Sequence, residues 1–525
     1  MTDGVLIGID AGTSVIKAVA FTTSGEQIAM AAISNVYETV EGGGVEQDMA
    51  RTWRDTATTL HQLTQQIPNL ASRLVAISVT GQGDGTWLVD KAGDPVAPAW
   101  LWLDARAASI AEDYIKHANY PAHYGRTGTG VNACQMNVQL AWLAKHRPEV
   151  LSRATSAFHC KDWLYFKLTG KRAADPSEAN FTFGDYRSRN YAPDILIDLS
   201  ASEAKRLLPP IVEGTIHADT LNAEAAALTG LRAGTPITLG YVDVICTGLG
   251  GGLFDPLGET GCTIVGSTGM HMRIAPTAAD VKLNAEHSGY TMSFPVPGMY
   301  AQIQSNMAST LNIDWLLDLA REILSEQGVE RSRADILKNM DDKILEKPAG
   351  RILYHPYISA AGERGPFMDP SARAMFAGLE IRHGFTDLMR AVFEGLCYAA
   401  RDCYSAMGDI PKEIRVTGGA ARSKALRVIL ASTLKANVRS VSREEAGAAG
   451  AAMIAAIQQK IYPDMAGCAA QWVNTLLGSN TAPDASLAKI YDQTFPLYKQ
   501  TREKMQPIWR AMSNLQQEVK KCPIN

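Results

Sequence analysis

Asp10, Gly12, Thr13 and Ser14 form a small polar turn between two short apolar, alternating runs, residues 5–10 and 15–21. These residue types suit a site for phosphate and Mg2+. Gly12 lets backbone amides approach an anion, the Thr13 and Ser14 hydroxyls donate to phosphate oxygens, and the Asp10 carboxylate holds a magnesium ion through its water shell. Lys17 follows at a spacing that brings its ammonium back over the turn. An ordinary Asp-Gly hairpin turn explains the same residues, so the rest of the chain has to decide.

Three further groups could do chemistry. Asp243 ends the apolar run 236–242 and precedes a segment of small residues. Ligands bind at the carboxyl ends of strands in open α/β sheets, where this carboxylate could take a proton from an attacking hydroxyl; an N-cap is the plain alternative. Gln82 and Asp84, in Gly81-Gln82-Gly83-Asp84-Gly85, suit a loop that binds the hydroxyls of a small polar ligand, or a surface turn. Trp102, Asp104 and Arg106 place an aromatic face beside an acid and a base. That set fits a carbohydrate pocket, or a helix N-cap with a structural arginine.

The elements that must position these groups alternate between strand and helix. Residues 5–10, 15–21, 27–33 and 74–79 read as strands, and 49–66 as a helix. After 236–239 the pattern starts again: a strand at 258–265, the turn Gly266-Ser267-Thr268-Gly269, and a strand at 270–274. Two copies of one nucleotide-binding unit imply an internal duplication, with a hinge near 245–260. A long amphipathic helix from 385 to 402 precedes a strand at 414–417 and the turn Gly418-Gly419-Ala420. Residues 445–456 are so rich in Ala and Gly that another element must press closely against them. The tail, 485–518, reads as a polar amphipathic helix.

Composition narrows the class. At 525 residues the chain is too long for one core, and 46% hydrophobic with 20% charged residues is ordinary for a soluble protein. A net charge of −4 gives no electrostatic reason to expect nucleic acid or an anionic membrane. No apolar stretch is long enough to cross a bilayer, and no leader segment is apparent. Eight cysteines without a C-x-x-C pair argue against zinc or a disulfide framework and for a reducing cytoplasm. The chain has no P-loop motif. Gly81–Gly85 matches a dinucleotide fingerprint only superficially, because a strand rather than a helix follows it.

Together these residues resemble the FGGY family of carbohydrate kinases, from residue 5 to about 456. The most specific match is Ala374-Met375-Phe376-Ala377-Gly378-Leu379, seven residues, then Asp387-Leu388-Met389-Arg390-Ala391-Val392-Phe393-Glu394. Gly44-Val45-Glu46-Gln47-Asp48 before Trp53, Lys161-Asp162, Leu168-Thr169-Gly170 and Glu445–Ala452 support it. The resemblance implies an α/β fold of two actin-like (RNase H-like) domains with an ATP and substrate cleft between them. Residues 1–250 would bind the sugar or polyol and carry the first phosphate loop; residues 251–525 would bind ATP. It implies Asp243 as general base, Gln82, Asp84, Trp102, Asp104 and Arg106 as substrate contacts, and Gly12, Thr13, Ser14 and Lys17 at the first phosphate loop. Gly266, Ser267 and Thr268 would form the second loop, and Gly418, Gly419 and Ala420 the adenosine site. Mg2+ would lie at Asp10, through water, with Asp243 as a further ligand. Family analogy implies homodimers or homotetramers.

Departures from the family pattern bear on substrate. D-xylulose kinases usually carry G-Q-M-H-G at residues 81–85, and Val244 replaces the Asn or Gln that often follows the base. An ionised Asp84 accepts from hydroxyls but offers a ketone no donor, which favours a reduced polyol. The stretch 266–272 is similar to the erythritol-directed branch of the family. Erythritol, or another tetritol or pentitol, is the first expectation, and L-xylulose or a related pentulose the second. The reading from a different class is an actin-like ATPase scaffold without sugar kinase activity.

Overall fold

Both expected hairpins form, and each opens a sheet of the same plan. The computed structural model describes residues 4–521, so Cys522 lies outside the described residues. In the N-terminal sheet β1 (Val5–Ala11), β2 (Val15–Thr22) and β3 (Gln27–Ser34) run antiparallel. After α1 (Met49–Gln66), β4 (Leu74–Gly81) joins parallel to β1. An insertion containing α2 (Cys160–Thr169) and α3 (Pro176–Phe183) leads to β5 (Pro236–Leu239), parallel to β4, and then to α4 (Asp243–Gly250).

The second sheet repeats this order. Here β6 (Thr260–Val265), β7 (Gly269–Ala275) and β9 (Tyr300–Asn306) run antiparallel, with β8 (Tyr290–Ser293) as an added edge strand. The long helix α5 (Phe385–Ala406) leads to β10 (Glu413–Thr417), which is parallel to β6. Next come α6 (Lys424–Leu434), β11 (Asn437–Val441), α7 (Ala446–Gln458) and the closing strand β12 (Leu477–Thr481). Hairpin, third strand and two parallel strands recur in order, as the duplicated sequence pattern implies.

The residues of β1 are apolar on both faces because both faces are covered. Val5, Ile7 and Ile9 face α1 in one core, while Leu6 joins a second core with residues of α4 and α7. Gly8 is required on that second face: a Cβ there would stand 1.9 Å from the carbonyl oxygen of Ala448 on α7. The Ala- and Gly-rich helix thus meets the element pressed against it, and the element is the other half's sheet. Conversely α4, from the N-terminal half, packs on the C-terminal sheet, where a Cβ on Gly248 would meet the Met272 sulfur at 3.2 Å. One apolar core is therefore continuous between the halves.

The tail forms α8 (Ala485–Lys521), which straps the C-terminal half. Its Tyr498 ring stacks on His355 with centroids 4.4 Å apart, and Tyr491 bonds Arg390 and Glu394 of α5. No helix among the described residues is long and apolar enough to cross a membrane. The seven described cysteines are all unpaired.

Candidate active site

Two adjoining cavities open between the halves. The larger, about 620 Å³, is lined by Asp10, Lys17, Gly418, Gly419, Glu445 and Gly447, among others. The β1–β2 register sets Lys17 opposite Asp10, which explains how the ammonium comes back over the turn. Its Nζ bonds Glu445 Oε2 at 2.7 Å and so ties the first strand pair to the start of α7. Gly418 has φ +95°, and a Cβ there would lie 2.5 Å from the Val265 carbonyl. Only glycine gives that turn its close approach to β6. Ala420, half-buried, does not line the cavity, whereas its neighbour Ala421, a buried member of the core of the C-terminal half, does.

In the first loop, the Gly12 N–H donates to the Val15 carbonyl at 3.0 Å. Thr13 Oγ1 donates to Gln82 Oε1 at 2.9 Å and accepts from Trp102 Nε1 at 2.8 Å. Ser14 is exposed at the tip. In the second loop the Gly266 N–H donates to the Thr268 carbonyl. The Ser267 and Gly266 carbonyls accept from Ser309 and Thr310, and Ser267 is exposed.

The smaller cavity, about 240 Å³, holds Thr13, Asp84, Trp102, Asp243 and Thr268 together with apolar walls from Phe181, Tyr290 and Met292. Asp243 begins α4, next to the N-cap residue Val242, and its Oδ1 accepts the Val244 N–H at 2.6 Å. Burial pushes the Asp243 carboxyl up to about 8, and the nearby Asp10 and Glu178 charges add to the rise. Burial likewise lifts Asp10 to about 6, against the pull of Lys17. Asp10 lines the larger cavity and Asp243 the smaller, and the two carboxylates repel each other.

Three of the expected substrate contacts lie outside that cavity. Gln82 is buried and bridges Thr13 to Gln47, donating from Nε2 to Gln47 Oε1 at 2.8 Å. Asp104 accepts the Val45 and Arg106 N–H groups at 2.9 and 3.0 Å. Arg106 pairs with Asp104 and Glu46 and lies 3.5 Å over the Trp100 ring. The structural alternative for Arg106 therefore describes its place: the Asp104–Arg106 pair clamps the loop that presents Trp102. Asp104 is no N-cap, since that position before the next helix belongs to Ala107.

A buried polar cluster behind the cavity was not apparent from residue types. Lys161 Nζ bonds Glu178, and it lies 2.6 Å from Asp175 Oδ2 and 3.0 Å from Asp162 Oδ1. Burial disfavours this ammonium, yet the three carboxylates outweigh that and hold its proton more firmly than usual. His159, Asp162 and Glu178 stand close enough to share a metal ion, but the ammonium already fills their charge requirement. Burial raises Glu178 to about 7, and its Oε1 accepts the Asp84 N–H at 2.9 Å. That bond holds Asp84 at φ +55°, a left-handed conformation uncommon outside glycine. Lys161-Asp162 stood out only as a family match, and Glu178 carried no local signal at all. Arg364 also lines the cavity, from the turn Gly362-Glu363-Arg364-Gly365-Pro366, whose flanking glycines and charges were the available clue.

Comparison with known proteins accords with this geometry. Residues 5–250 match the N-terminal domain model of the FGGY family of carbohydrate kinases, and residues 261–459 match its C-terminal domain model. The chain is 50% identical over 510 residues to an erythritol kinase of Brucella abortus (strain 2308), covering 97% of this chain and 98% of that protein. It is 25% identical to an L-xylulose/3-keto-L-gulonate kinase of Escherichia coli (strain K12), covering 94% and 95% of the two chains. The crystal structure of a xylulose kinase from Rhodospirillum rubrum superposes with a TM-score of 0.86 at 26% identity, over 96% of this chain and 100% of that one. A duplicated α/β sheet, a cleft with two small polar turns, and both domain models in order lead to one assignment: the chain belongs to the FGGY family of carbohydrate kinases.

Proposed function

We propose that this kinase transfers the γ-phosphoryl group of ATP to a hydroxyl of a four-carbon polyol, with erythritol as the substrate. The observation that carries this is Asp84. Its Oδ1 is buried without a partner in the cavity that also holds Asp243, so a ligand that donates hydrogen bonds is wanted there. An ionised carboxylate accepts from a hydroxyl but cannot donate to a ketone, and half of the chain's residues are shared with an erythritol kinase. Trp102, Phe181 and Tyr290 would pack on the carbon chain, in a cavity sized for a small acyclic molecule. The ketose reading, L-xylulose, draws on a relative only 25% identical.

Asp243 takes the proton from the acceptor hydroxyl as its oxygen forms a bond to the γ-phosphorus. The bond from that phosphorus to the β,γ-bridging oxygen breaks, and ADP departs. A carboxyl poised near neutrality is suited to this exchange. Gly12, Thr13 and Ser14 on one side, and Gly266, Ser267 and Thr268 on the other, would supply phosphate donors. Gly418, Gly419 and Ala421 would border the adenosine. Asp10 and Asp243 fit a divalent cation, being buried oxygen donors whose charges repel in its absence. Mg2+ held by Asp10, through water, and by Asp243 would neutralise phosphate charge. Residues 1–250 and 251–525 would act as the two jaws, excluding water on closure. Unpaired cysteines favour a cytoplasmic enzyme, and the family resemblance a dimer or tetramer.

ADP release with Mg-ATP across erythritol, threitol, xylitol, ribitol, glycerol, and D- and L-xylulose tests the reading. Preference for erythritol supports it. A ketose preference would remove the Asp84 argument while leaving the kinase.

A further inference from the structure

The turn that carries Arg364 belongs to the C-terminal half and is anchored there by hydrogen bonds. Glu363 is buried, and its Oε1 accepts the N–H groups of Met307 and Arg364 at 2.9 and 2.8 Å. Its backbone pairs with Asp369 in both directions. Asn306 Nδ2 donates to the Gly365 carbonyl at 2.8 Å, and Ser288 Oγ donates to the Pro366 carbonyl at 2.6 Å. The side chain of Arg364 leaves this anchored turn and lines the 240 Å³ cavity, where Asp84 enters from the other half.

Both residues line this cavity, yet no ion pair joins them; Asp84 Oδ1 and Arg364 Nε are closed off from solvent without a hydrogen-bond partner. Arg364 is nevertheless near enough for its charge to act on Asp84, on the Cys134 thiol and on the Tyr290 hydroxyl. A structural pair would have closed to hydrogen-bond distance, because leaving a buried carboxylate oxygen and a buried guanidinium N–H unmade is costly. A hydroxyl donates and accepts at once, so hydroxyls of one ligand satisfy both.

We propose that Arg364 is a substrate-binding residue that, with Asp84, holds the hydroxyls at the non-reacting end of the polyol. One hydroxyl donates to the Asp84 carboxylate and accepts from the Arg364 guanidinium, or two neighbouring hydroxyls divide the roles. Asp243 is left with the reacting end. The strongest charges on Asp243 are Asp10 and Glu178, a different set from those on Asp84. Polyol length is thereby read between the halves, and a three-carbon polyol that places a hydroxyl at Asp243 does not satisfy both anchors.

This inference rests on the polyol kinase reading, which wild-type turnover of erythritol tests by itself. Arg364→Met and Arg364→Lys are then compared with wild type for kcat and KM on erythritol and on glycerol, with ADP affinity and melting temperature as controls of folding. Arg364→Met is expected to raise the KM for erythritol ~10- to 100-fold with a smaller change in kcat, as for loss of a charged hydrogen bond. The ratio of kcat/KM for erythritol over glycerol should fall by about tenfold, and Arg364→Lys should recover part of it. Equal losses on both polyols, a fall in kcat at unchanged KM, or no change would overturn the proposal. Should the methionine variant fail to bind ADP, the same ratio is read from Arg364→Lys.

Discussion

Gly250 and Gly450 meet where α4 crosses α7: a Cβ on Gly250 would lie 3.0 Å from the Gly450 nitrogen, and 2.1 Å from the Ala446 carbonyl oxygen. A Cβ on Gly450 would in turn lie 2.0 Å from the Cys246 carbonyl oxygen. The obstructing atoms are backbone, so neither helix can yield by turning a side chain. Gly450→Ala should lower stability by about 1–3 kcal/mol or more, as overpacking does. Urea denaturation of the purified variant measures this, and an unchanged midpoint would contradict the crossing.

Asp243→Asn should keep the fold and ADP binding while turnover falls roughly 10²- to 10⁴-fold. A well-folded variant with near-normal kcat would refute the base assignment.

Asp84→Asn replaces an acceptor-only carboxylate with an amide that can donate. The kcat/KM for erythritol should drop about tenfold or more, while that for a ketose such as L-xylulose falls less or rises. Parallel losses on both substrates would mean that Asp84 does not read the oxidation state of the ligand.

Lys161→Met leaves Asp162, Asp175 and Glu178 buried together without their cation. Destabilisation of about 3–5 kcal/mol is expected near neutral pH, as for a broken buried ion pair. The deficit should shrink as pH falls, since protonation relieves the repulsion, and burial already pushes the Glu178 carboxyl up to about 7 in the intact cluster. Denaturation of variant and wild type at pH 8 and pH 6 checks both the size and the direction.

His123 is buried against Tyr114, and burial lowers its imidazole from 6.5 to about 4. Its neutral form is favoured in the folded state, so its share of stability is complete above pH 6.5 and is lost as pH falls toward 4. Roughly 2 kcal/mol of it is lost by pH 5. His123→Phe should therefore lose less stability than wild type between pH 7 and pH 5. Equal losses would place the imidazole in contact with solvent.

Much of the fold is legible in the chain because its signals are local. The 49–66 helix matches its observed bounds, with Asp48 as cap, and the two hairpins follow from alternation around small polar turns. That Asp243 and Asp84 line a cavity is legible for the same reason, each standing beside glycine or at a strand end. Asp104 and Arg106 are ambiguous in the chain because acid, base and aromatic ring look alike in a sugar pocket and in a loop clamp. Only the contacts to Val45 and Glu46, some sixty residues away, distinguish the two. That Glu178 bonds the Asp84 N–H, and that Arg364 lines the same cavity as Asp84, is not legible in the chain, since nearly one hundred and nearly three hundred residues separate them from it.

The crossing of α4 and α7 also bears on ancestry. Each repeat ends in a helix that covers the sheet of the opposite repeat, α7 over Gly8 and α4 against Met272. A solitary ancestral unit would have had one sheet face bare, so its folded form would have been a pair of identical chains exchanging terminal helices. With both repeats in one chain the exchange is intramolecular, and neither sheet face depends on meeting a second chain.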